Sequence, residues 1–145
     1  MEKEFIPYKQ ALALKELGFD EECLAVHRGG SLYGSGTSVN RYYEYGHWQL
    51  EKNSDYNGDN WIAAPTFSQA FRWFREKCGL FSNLDVIDNC ATFYYEYQIV
   101  NHKDTEFYHD GHQARRLWNN LEFKTYEEAE LECLKKLIEI VKNKG

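Results

Sequence analysis

The chain has 145 residues and a formal net charge of −6, with 43% hydrophobic and 17% aromatic residues. That length predicts one domain, able to bury about 68–70% of its unfolded surface without help from a disulfide or metal. The acidic excess is spread along the chain, which excludes a protein that grips a nucleic-acid backbone, since displacing counterions needs a basic patch.

The four cysteines are Cys23, Cys78, Cys90 and Cys133. They lie far apart with no CxxC, so reduced and mostly buried thiols in a cytoplasmic protein are expected. The N-terminus MEKEFIPYK lacks the apolar run of a signal peptide. No stretch approaches the ~20 apolar residues that span a bilayer, so no membrane partner is expected.

Pro7 suits the start of a first helix, Tyr8 to Leu17, with Ala11, Leu14 and Leu17 on one face. Gly18 is placed to end it, with Phe19 folding back onto the last turn. Cys23 to His27 is a compact apolar run and reads as a strand. Gly29 to Gly36 holds four glycines and reads as a flexible loop. Arg41 to Leu50 is strand-like and aromatic, Glu51 to Asn60 is a polar turn, and Trp61-Ile62 is a short strand.

The clearest helix follows. Pro65 keeps Ala64 extended, and Thr66 with Gln69 fits a capping box. Phe67, Ala70, Phe71, Phe74 and Cys78 fall on one face at 100° per residue, and Gly79 is a stop signal. Trp73 lies off that face, beside Arg72 and Glu76. A second element covers it, or it is a contact residue for a partner.

Leu84 to Ile87 and Ala91 to Val100 then read as two strands around an Asp88-Asn89 turn. In the second, Phe93, Tyr95, Tyr97 and Ile99 alternate with Thr92, Tyr94, Glu96 and Gln98. Ala114 to Phe123 is read as extended. The last helix starts from a second capping box, Thr125 with Glu128, and its wide apolar face runs from Tyr126 to Val141. Glu132 and Lys136 are spaced to pair on its solvent side. Glu130 interrupts the apolar face between Tyr126 and Leu134, where it pairs with an arginine or lines a pocket.

Two loops have compositions that invite metals. Asp55 to Asn60 begins like an EF-hand loop, but Asn60 replaces the glycine and the twelfth position is Thr66 instead of a bidentate Glu. His102, His109 and His112, with Asp104 and Asp110, are the residues a transition metal would take, yet their spacing matches no metal motif and HExxH is absent. The glycines after His27 are not followed by a helix start or by GK[ST], which a phosphate cradle needs. There is no G-x-S-x-G elbow. No cofactor and no metal are therefore expected.

Three segments together resemble a family of short uncharacterised proteins from gut bacteria and their phages and mobile elements. They are PYKQALALKELGFDEECLA, APTFSQAFRWFREKCGL and FKTYEEAELECLKKLIEIVK, in the family's order. The family has no assigned catalytic residue or cofactor, so the resemblance implies a mobile-element context and an accessory role but no site. The expectation is an α+β domain, 1–145, with three helices packed on a mainly antiparallel sheet. It acts by binding another macromolecule, expected to be a protein, through Trp73, Arg72, Glu76 and Glu130. The alternative is a small metal-dependent or nucleotide-handling enzyme using the His102–His112 segment. Oligomeric state stays open.

Overall fold

The computed structural model describes residues 2–34, 50, 52–55, 60–88, 90–101 and 116–145, with the backbone alone for residues 2 and 116–121. The strand read at Arg41–Leu50, most of the Asp55–Asn60 loop and the histidines at 102, 109 and 112 lie outside the described residues. The fold is α+β, with three α-helices and two antiparallel sheets of three strands each among the described residues. The chain divides into two compact units, Met1–Ala70 and Phe71–Gly145.

The first unit opens with helix α1, Tyr8–Glu16. Pro7 is its cap, extended at φ −63° and ψ 157°, and its carbonyl accepts from the amides of Gln10 and Ala11. At the other end Gly18 N–H bonds Lys15 O at 3.0 Å and Phe19 N–H bonds Leu14 O at 2.9 Å. This double closure consumes the orphan carbonyls and folds Phe19 into the core, as expected for a Gly-terminated helix.

Strands β1, Ala25–Arg28, and β2, Ser31–Gly34, form a hairpin, and β3, Trp61–Ala64, pairs with the other edge of β1. The glycine-rich stretch expected to be a flexible loop thus begins as a tight turn. Gly29 and Gly30 take φ 55° and 84°, the two positive values that a two-residue hairpin turn requires. Gly34 then passes so close to β1 that a Cβ there would collide with the Leu24 carbonyl and lie 2.6 Å from Ala25 Cα. The N-terminal segment is sewn to this sheet: Ile6 N–H bonds Pro65 O at 3.0 Å and Phe5 bridges Thr66. Phe5, Ala25 and Ala64 form one buried cluster, with Leu32 packed against it.

Helix α2, Phe67–Trp73, carries the chain from the first unit to the second. Its capping box is reciprocal: Gln69 N–H bonds Thr66 Oγ1 at 3.2 Å and Thr66 N–H bonds Gln69 Oε1 at 3.1 Å. The helix does not continue regularly to Cys78. From Phe74 to Cys78 it opens into a π turn, closed by Gly79 at φ 69°.

In the second unit β4, Leu80–Asp88, and β5, Phe93–Asn101, form the expected hairpin, with β4 longer than the sequence pattern indicated and β5 shifted toward Asn101. β6, Arg116–Phe123, pairs with the far side of β5, so the extended reading of that segment is correct. Helix α3, Tyr126–Lys144, buries Ala129, Cys133, Leu134, Leu137, Ile138 and Ile140. Its N-terminus is capped by Thr125, whose Oγ1 accepts from Glu128 N–H at 3.2 Å, while the Glu128 carboxylate reaches one residue further back, to Lys124 N–H. The solvent-side ion pairs differ from the Glu132–Lys136 pair expected. Lys135 bonds Glu132 at 2.7 Å and Lys136 bonds Glu139 at 3.0 Å, both three apart.

Candidate functional site

Trp73 is not a surface contact. It is 5% exposed and meets the Phe74 ring edge-on, with centroids 5.1 Å apart. Through Trp73 the helix is regular, so the ring does lie off the Phe67, Ala70 and Phe71 face, and it is buried because another part of the fold covers that side. Arg72 and Glu76 are exposed, as a flank would be, but without the tryptophan they are an ordinary charged helix surface. Glu130 is half-buried on α3, one turn before Cys133. The four residues proposed from sequence therefore do not make an aromatic contact site.

Burial pushes the pKa of the Cys23 thiol up to about 12, helped by the nearby Glu21 charge. Burial pushes Cys133 up to about 12 as well; a hydrogen bond with Ser82 pulls it down slightly and Glu130 adds to the rise. A thiolate is the nucleophile in cysteine chemistry, so these two are inert packing residues. Cys90 is exposed in the β4–β5 turn and Cys78 is half-buried.

His27 is buried on β1. Its Nε2–H donates to the Ile6 carbonyl at 2.9 Å, and Tyr8 meets the ring edge-on at 5.8 Å. Burial pulls its pKa below the ordinary histidine value, against the opposing effect of the Ile6 bond. It is a neutral fastener for the N-terminal segment. The start of the EF-hand-like loop is likewise occupied, because Asp55 Oδ2 accepts from Lys52 N–H at 3.0 Å and Thr66 caps α2. Among the described residues no three His, Cys, Asp or Glu gather into a set that could hold a metal. Among them too, no helix is long and apolar enough to cross a membrane.

What the second unit does present is an uncovered end of its sheet. Directly opposed residues of antiparallel strands share a face, so Val86, Tyr95 and Phe123 form one row across β4, β5 and β6, with Asp88 and Phe93 one row beyond. Further along the same face Tyr97 and Ile99 are buried, and Tyr95 meets Tyr126 of α3. This is the helix-covered side, but α3 begins too late to cover the last rows. Its first residue, Tyr126, is 44% exposed, and Val86 and Phe93 are 57% and 62% exposed. Edge-on contacts run from Phe93 to Tyr95 at 6.1 Å and from Tyr95 to Tyr126 at 6.0 Å, and Tyr97 stacks on Phe123 at 5.9 Å. These rings hold one another in place, so the surface is preformed.

The rim is acidic. Asp88 stands opposite Phe93, and Glu127 and Glu128 follow Tyr126 in the first turn of α3. Glu122 is exposed one residue before Phe123, held at φ 78° where β6 bulges against β5. Lys124 is the exposed cation in the same stretch. Compared with protein-family models, curated proteins and solved structures, the chain matches none.

Proposed function

We propose that the chain acts by binding another protein, and that its contact surface is the aromatic sheet end of the second unit, Val86, Phe93, Tyr95 and Tyr126. The observation that carries this is the exposure of Val86, Phe93 and Tyr126 together around one ring, Tyr95. Scattered exposed apolar residues need no explanation, but a joined cluster with a polar rim is the pattern of an interaction surface. Aromatic side chains give large contact area for little conformational entropy, which is why they dominate binding energy at interfaces. An accessory role in a phage or mobile element is supported by the three segments that resemble such proteins.

Site-specific crosslinking tests the surface. A photo-reactive residue at Phe93 is expected to capture a protein from the native host that the same residue at the exposed Glu139 does not. The V86S/F93S variant, checked for folding by circular dichroism, should fail to retain that protein. Equal retention by the variant and the parent chain would refute the surface.

A further inference from the structure

We infer that the aromatic sheet end recognises a basic protein segment, whose Arg or Lys side chains lie over the Phe93, Tyr95 and Tyr126 rings and face the surrounding carboxylates. This rests on the binding surface proposed above and names its partner chemistry. Aromatic rings carry negative π-faces, and a cation is attracted to such a face, all the more where anions stand beside it. Here the anions are Asp88, Glu122, Glu127 and Glu128, against Lys124 as the one cation in that stretch among the described residues. The protein already makes this contact once internally: the Arg28 guanidinium lies 4.7 Å from the centre of the Trp61 ring.

The same charges disfavour the other occupants. A second copy docking through a two-fold axis would set each acidic rim against itself, since such a contact pairs a surface with its own image. A nucleic acid would bring phosphates to four carboxylates. A wholly apolar partner would leave those carboxylates with nothing to face, whereas a segment mixing cations with apolar residues satisfies both rings and rim.

A displayed library of random peptides of about twelve residues, long enough to cross such a surface, tests this on the full chain. Selection should enrich peptides with an excess of Arg and Lys. Their Kd should weaken about tenfold or more on D88N/E122Q/E127Q, where each amide keeps the size of the acid, and on raising salt to about 0.5 M. Asn at position 88 also keeps the oxygen that accepts from Cys90 N–H. If the peptides depend on Phe93 but are uncharged or acidic and bind the neutralised variant equally, the partner chemistry is wrong and the surface stands. If no selected peptide loses affinity for V86S/F93S, both proposals fall. Sedimentation velocity supplies the last outcome: a dimer that V86S/F93S abolishes would replace the basic partner with a second copy.

Discussion

The His27 imidazole holds the Ile6 carbonyl at 2.9 Å, fastening a β-strand to the segment that precedes α1. Because burial lowers the folded-state pKa of His27, the unfolded chain takes up its proton first as pH falls. Stability from this site is therefore complete above the unfolded value of 6.5 and is lost below it, until the folded protein protonates too. The slope is at most about 1.4 kcal/mol per pH unit. Thermal melts should be flat around neutrality and decline below pH 6.5, and H27Q should flatten that decline. Asp20 acts in a separate, lower window. Hydrogen bonds from Ser54 lower its pKa, so its contribution is present above 3.8 and fades below. A decline below pH 6.5 that is unchanged in H27Q would assign the effect elsewhere.

Asn53 ties the loop before β3 to two parts of the first unit. Its Nδ2 donates to Phe19 O at 2.7 Å and its Oδ1 accepts from Ala63 N–H at 2.9 Å. The side chain is buried, so N53A removes both of these bonds in a dry place. Each lost bond costs about 1–3 kcal/mol, and a total loss of roughly 2–4 kcal/mol is expected in urea unfolding. A loss under about 0.5 kcal/mol, the range of ordinary surface changes, would mean that water replaces both bonds.

What was legible in the sequence was local. Thr66 with Gln69, Thr125 with Glu128, and Gly18 with Phe19 each settle their hydrogen bonds within a few residues, so the helix ends could be read from the residue types alone. The alternation of β5 was legible because Phe93, Tyr95, Tyr97 and Ile99 fall at every second position, between the mostly polar Tyr94, Glu96 and Gln98. The burial of Trp73 was one of two outcomes the sequence left open, because it depends on what packs beside α2, and nothing in FREKC announces the π turn that follows. Ser31 to Gly34 lacks strand-like alternation; it extends because β1 supplies its ladder partners. The aromatic sheet end was invisible for a third reason. Phe93 and Tyr126 each sit on an apolar face in sequence, and only the register of β4 on β5 and the starting point of α3 leave them uncovered together.

Thiol titration separates the cysteines by environment. Cys90 is exposed and should react with an aromatic disulfide reagent at mildly alkaline pH in a fast phase that C90S removes. Cys23 and Cys133, pushed up to about 12, should stay silent until denaturant is added. A fast phase that survives in C90S, C78S and the double variant would show that one of the two buried thiols is reachable, against the burial described.

Trp73 and Phe93 should divide stability from recognition. Trp73 is 5% exposed, so W73A opens a cavity, and loss of a buried aromatic costs about 3–5 kcal/mol. Phe93 is 62% exposed and keeps one edge-on partner, Tyr95, whose loss is worth about 0.5–1.5 kcal/mol. F93S should therefore melt within a few degrees of the parent chain, whereas W73A should be strongly destabilised. Binding should follow the opposite order: a stabilising osmolyte that refolds W73A should restore partner binding, and nothing that stabilises the fold should restore it to F93S. If F93S proves as damaging to folding as W73A, the sheet end is part of the core and its exposure has another cause. If W73A, refolded, still binds nothing while F93S binds normally, the contact lies at the α2 flank with Arg72 and Glu76 after all.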